Sequence, residues 1–77
     1  MYTLLDTVVL ARDLPERGLR AGDVGAIVEI YDSDAFEVEF VTAVGRTQAL
    51  VTLRSGDVRE VGDRDLLAVR SLERAAG

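Results

Sequence analysis

Apolar and acidic residues alternate strictly from Ala35 to Val41. Phe36, Val38 and Phe40 fall on one face, Glu37 and Glu39 on the other. A period of two predicts a half-buried β-strand with its phenylalanines inward and its glutamates toward solvent. A slip of one residue would bury two carboxylates, so the pattern also fixes the register. Residues 24–31 form a glycine-punctuated, β-branched run and predict the preceding strand. There Val24, Ala26, Val28 and Ile30 share one face, and Gly25, Ile27, Glu29 and Tyr31 the other. Gly25 inside a strand predicts a bulge or the close approach of another backbone. Asp32, Ser33 and Asp34 supply the tight turn between these two strands.

The same reading extends along the chain. Residues 4–10 are apolar on both faces and predict an interior strand. Residues 47–53 predict a fourth strand, residues 54–57 a hairpin turn, and residues 58–61 a strand that pairs back. Gly45 is the expected positive-φ residue of the turn before the fourth strand. Residues 62–65 predict a short helical turn with Asp63 as its N-cap. Residues 66–69 predict a last strand closing the sheet against its start. Residues 11–22 hold one proline, two glycines, three arginines and two acidic residues, the composition of a long loop. Its Leu14 and Leu19 are expected to fold back and plug one end of the molecule. The fold class is therefore all-β, a small barrel of five to six strands, because closure removes exposed edges. Residues 1–70 are expected to form this single domain, with residues 71–77 a flexible C-terminal tail.

Composition narrows what such a fold can do. The 77 residues provide one core, and an apolar share of 48% is ample for it. Fourteen acids against nine bases give a net charge of −5, and every base is arginine. The arginine bias reads first as genomic GC content, and second as a use of planar guanidiniums in ion pairs. An acidic chain lacks the positive footprint that drives nucleic-acid affinity and favours basic partners. No basic start followed by an apolar run marks a signal peptide, and no apolar run approaches the ~20 residues of a membrane helix. A cytoplasmic protein without membrane contact is expected.

Histidine, cysteine and lysine are all absent. That removes Ser-His and Cys-His dyads, the usual zinc and copper ligands, and Schiff-base chemistry. No enzyme and no cofactor is expected. Asp32 and Asp34 have the spacing of paired oxygen ligands, but the glycine and distal glutamate of a calcium loop are missing, so they read as a solvated turn. Gly22 and Gly25 precede a strand rather than a helix and read as turn and bulge, not as a phosphate cradle. Glu37 and Glu39 share a face, yet nothing predicts the burial that an acid–base pair needs. Tyr2, Tyr31, Phe36 and Phe40 are too scattered for a base-stacking platform.

Two stretches resemble known folds. Residues 22–30, with the strand before them, resemble the glycine-centred turn and strand of SH3-like and KOW-like barrels. Residues 58–61 and 65–69 resemble their last hairpin, helical turn and closing strand. More closely, residues 4–10, Asp13-Leu14-Pro15-Glu16-Arg17-Gly18-Leu19, Gly22-Asp23-Val24-Gly25 and Phe36-Glu37-Val38-Glu39-Phe40 are similar to the small bacterial family designated domain of unknown function 4926. The resemblance runs from Thr3 to Val69. It implies an SH3-like barrel and a compact, free-standing protein; the family carries no established activity, so no catalytic residue transfers.

The expected function is a small, acidic protein-interaction module without catalytic activity that engages a basic protein partner. The expected contact residues are Arg12, Glu16, Arg17 and Arg20 in the long loop and Glu29, Glu37 and Glu39 on the sheet. Asp13, Glu16 and Asp23 sit among the loop arginines and offset most of their field. A narrower version is an antitoxin or immunity-type neutraliser of a neighbouring toxin. A weak RNA-binding, KOW-like domain is the alternative that the charge disfavours. Monomer and dimer both stay open.

Overall fold

Five strands form one antiparallel sheet in the order β4-β3-β2-β1-β5, in a computed structural model that describes residues 2–72. They are β1 (Thr7–Leu10), β2 (Val24–Asp32), β3 (Ala35–Val41), β4 (Thr47–Leu53) and β5 (Val58–Glu60), with short 3-10 turns at Pro15–Arg17 and Ser55–Asp57. Residues 73–77 of the expected tail lie outside the described residues.

The alternation in β3 sets the inner face. Phe36, Val38 and Phe40 are buried and join Val8, Leu10, Ile27, Ala49, Leu53 and Val58 in one core, with Tyr2 and Val51 packed against it. Each fully buried valine, leucine, isoleucine or phenylalanine among them contributes about 1.5–3 kcal/mol by leaving water. The Tyr2 ring meets Phe36 edge-on at 5.5 Å. Leu14 and Leu19 do fold back: each backbone N–H donates to the other's carbonyl, at 3.0 and 3.1 Å, and both side chains complete the core.

The sheet is open. β4 and β5 are its two edges, and no strand pairing joins them among the described residues. Residues 58–61 do not pair back on β4; β5 lies on β1, with Leu10 opposite Val58. The Ser55–Asp57 turn redirects the chain. Asp57 N–H donates to the Arg54 carbonyl at 2.9 Å, while the Asp57 carbonyl accepts from Ala11 N–H at 2.8 Å and draws the chain to the end of β1. Residues 66–69 are not a strand. β1 is already paired on both sides, by β2 and β5, so the edge such a strand would need does not exist.

Three further expectations are corrected. Leu4 and Leu5 lie outside β1, exposed in a turn that Asp6 closes by accepting from Thr3 N–H at 2.9 Å. In the turn at residues 62–65 the capping carboxylate belongs to Asp65, which accepts from Gly62 N–H at 2.6 Å, and not to Asp63. The register of β2 on β3 breaks at Val28, between Ile27 and Glu29, and again between Ile30 and Asp32, rather than at Gly25. Gly25 instead serves close approach: a Cβ there would lie 2.7 Å from Val38 Cγ1 and 2.9 Å from Phe40 Cε1.

The bulge at Val28 has a large effect on β2. Up to Ile27 the odd positions face the core. Beyond Val28 the faces exchange, so that Ile30 lies opposite Phe36 and Glu29 opposite Glu37. Simple alternation puts Glu29 with Ile27; the extra residue moves it to the outer face.

The loop between β1 and β2 reaches over to the β4 edge. Arg17 Nη2 donates to the Leu50 carbonyl at 2.7 Å, and Gln48 Nε2 donates back to the Arg17 carbonyl at 3.4 Å.

Candidate functional site

The outer face of β2, β3 and β4 carries the three glutamates singled out in the sequence. Glu29 stands directly across from Glu37, and Glu39 lies two residues further along β3, across from Ala26. Glu37 and Glu39 are half-buried rather than fully solvated, because β4 hydroxyls rise beside them. Thr52 Oγ1 donates to Glu37 Oε1 at 2.6 Å, and Thr47 Oγ1 donates to Glu39 Oε2 at 2.6 Å. Tyr31 Oη adds a longer bond to Glu37 Oε1 at 3.3 Å. Desolvation, then the charges of Glu37 and Glu29, hold the Tyr31 phenol above its ordinary range, so it stays a donor. All three donors are neutral. They orient the carboxylates without cancelling their charge.

The loop residues do not join this strip through Arg12 or Arg17. Arg12 Nε pairs with Asp57 Oδ1 at 2.8 Å, tying the loop to the Ser55–Asp57 turn. Arg17 is committed to the β4 edge. Arg20 lends its backbone N–H to Asp23 Oδ2 at 2.8 Å, and Glu16 is exposed in the 3-10 turn. Asp13 accepts from Ala21 N–H at 2.8 Å, closing the loop on itself. Asp34 faces Ser55 and Arg54 and fastens the β2–β3 turn to the end of β4.

One arrangement was invisible in the sequence. Arg70 reaches Asp23, 47 residues earlier, through two bonds: Nε to Oδ1 at 2.8 Å and Nη2 to Oδ2 at 2.6 Å. Nη2 also donates to the Gly18 carbonyl at 3.1 Å. The fork geometry suits a carboxylate, and partial burial strengthens it. Beside this pair lies a groove of about 480 Å³ between the start of β2, the end of β3 and residues 68–72. Nothing in the spacing of Asp23 and Arg70 signals their meeting, since the sequence reads the second as leaving a strand.

Several carboxyls sit below the usual range. The Arg70 guanidinium lowers Asp23, Arg12 lowers Asp57, and Arg59 with Gly62 N–H lowers Asp65 to about 2. Each binds its proton less readily folded than unfolded. Their contribution is therefore present above the unfolded value of about 3.9 and is lost as pH falls through the folded value. The melting temperature should hold from neutrality to about pH 5 and fall between about pH 4 and pH 2. Calorimetry of Arg59→Gln should give a lower melting temperature than the parent at pH 7 and convergence as the pH reaches 2. Parallel curves would show that Asp65 does not depend on Arg59.

A family model described as Domain of unknown function (DUF4926) matches residues 4–60. The match stops where β5 stops, leaving residues 61–72 outside it. Comparison with curated proteins and with solved structures gives no match.

Proposed function

The chain belongs to the DUF4926 family of unknown function, and on that footing we propose that it is a small acidic interaction module, without catalytic activity, that binds a basic protein partner. The observation that carries this reading is the strip of Glu29, Glu37 and Glu39, brought onto one face by the Val28 bulge, with Glu37 and Glu39 held by neutral hydroxyls. Preset carboxylates on rigid strands lose little freedom when they meet arginine or lysine. The overall charge of −5 draws the same partners from a distance.

An SH3-like build belongs to the same proposal. It is supported by the 3-10 turn that leads into β5, by β5 lying on β1, and by the long β1–β2 loop folded over to β4. No helix of the described residues is long and apolar enough to cross a membrane. A cytoplasmic site of action is part of this reading.

The test is the double charge reversal Glu37→Lys/Glu39→Lys. Tagged parent and variant are used to capture proteins from the host's lysate, with far-UV circular dichroism as the folding control. A protein with an isoelectric point above about 9 should be retained by the parent and lost, at least tenfold, by the folded variant. Equal retention by both would remove the strip from the interaction.

A further inference from the structure

We propose that the β4 edge is a self-pairing surface: two copies of the chain join antiparallel along β4 across a two-fold axis, and Arg17, held in place through Arg70, keeps that surface closed in the single chain. The pairing does not depend on the glutamate strip binding a basic partner.

The two edges of the open sheet differ in charge. β5 carries Arg59 and Glu60 among its three residues, whereas none of the seven residues of β4 is charged. An uncharged edge strand of that length pairs readily with its own kind. The Leu50 carbonyl receives Arg17, so it points away from β3, and Thr52, two residues on, presents its main chain the same way. Gln48 sits at the break in the β3–β4 register, which leaves residues 49–53 as regular edge. An antiparallel pair centred on Val51 sets Val51 against Val51 of the second copy, Leu50 against its Thr52 and Ala49 against its Leu53. Every opposed pair is uncharged, and the last matches a small side chain with a large one. Leu50 and Thr52 are exposed in the single chain, so the core stays as it is. The two-fold closes the assembly at a dimer and keeps both outer faces on one side, which places two glutamate strips on one continuous surface.

The latch has two parts. Arg17 Nη2 lies on the Leu50 carbonyl, where Thr52 N–H of the second copy would bond. Arg70 Nη2 donates to the carbonyl of the next residue in the loop, Gly18, while Nε and Nη2 grip Asp23, so the tip that carries Arg17 is pinned. Gln48 Nε2 adds a long bond to the Arg17 carbonyl at 3.4 Å. The Arg17 and Gln48 bonds are exposed, and such bonds hold weakly in water. One substitution is therefore enough to shift the balance from the closed chain to the paired one.

The experiment is sedimentation velocity of the full chain over a concentration series, with far-UV circular dichroism as the folding control. Arg17→Ala should dimerise at least tenfold more tightly than the parent, and Arg70→Ala should fall between the two. Arg17→Met, which keeps the stem and removes the donor, takes its place should Arg17→Ala fail to fold. In the open background, Leu50→Lys/Thr52→Lys sets lysine against lysine twice and should be monomeric, as should Leu50→Glu/Thr52→Glu. Mixing these two chains should restore a dimer, and the same mixture with Arg17 retained should not. Equal sedimentation of parent and Arg17 variants would overturn the proposal. So would a dimer that survives the two lysines, which would place the contact on another surface, or a mixture that pairs equally well with Arg17 retained. An Arg70→Ala chain indistinguishable from the parent would remove Arg70 from the latch. Retention of a basic protein is a separate measurement, so failure of the strip and failure of the pairing cannot be confused.

Discussion

Phe36→Ala leaves the domain without a cooperative unfolding transition. Phe36 is the largest of the fully buried side chains, and its ring packs edge-on against Tyr2. Removing a buried phenylalanine costs about 3–5 kcal/mol, through lost transfer energy and the cavity left behind. A domain of this size has a total stability near the low end of the 5–15 kcal/mol range, so the loss consumes most of it. Urea denaturation followed by far-UV circular dichroism should show a folded baseline for the parent and none for the variant at 25 °C. Phe36→Leu, which keeps most of the volume, should retain the transition at a lower midpoint. A Phe36→Ala chain that unfolds cooperatively near the parent midpoint would place the core elsewhere.

Gly25→Ala produces the second-largest loss, from the addition of a single methyl group. The new Cβ would lie 2.7 Å from Val38 Cγ1, 2.9 Å from Phe40 Cε1 and 3.0 Å from the Glu39 carbonyl oxygen. Side chains can rotate aside, but the carbonyl belongs to the β3 backbone, so β2 and β3 must separate. Overpacking of this kind costs about 1–3 kcal/mol. Gly45→Ala is the control, because its cost has a different origin. Gly45 has φ of +85° with open space around it, so alanine there meets conformational strain of about 1 kcal/mol and no clash. Gly25→Ala should be the more destabilised of the two in the same urea series. The reverse order would mean that the β2–β3 contact is looser than these distances.

The two glycines illustrate what the sequence can carry. Gly45 was legible because it sits between a strand end and a strand start, where only a turn fits. Its positive φ follows from local chemistry. Gly25 was legible as unusual, and close approach was one of its two readings, but the neighbours it makes room for lie on β3. The alternation of β3 gave the inner and outer faces directly, since a period-two pattern needs no knowledge of partners. The Val28 bulge left no comparable mark: Ile27, Val28 and Ile30 are all ordinary β-branched strand residues, and only pairing with β3 shows that Val28 is extra. Hence Glu29 belongs to the outer strip although simple alternation puts it on the core side.

The failures share a cause. Residues 58–61 and 66–69 both have strand-like composition, and local pattern cannot say which edge a strand will find. β5 found β1; once it had, no edge of β1 was left for residues 66–69. The Arg70–Asp23 contact is likewise decided by where the chain returns, not by any spacing. Absences of histidine, cysteine and lysine narrowed the chemistry without any coordinates, because they concern which atoms exist rather than where they lie.

The Arg17 contact with the Leu50 carbonyl bears on how the molecule behaves in a crowd. An unclosed sheet ordinarily offers its outermost main chain as a template on which a neighbour's strand can zip. Here a guanidinium from the β1–β2 loop already occupies one of the acceptors such a neighbour would seek, and the adjacent glutamine amide is turned to the same loop. A bulky charged lid along that border discourages ribbon-like stacking of one copy on the next, and lets the molecule do without a closed hoop.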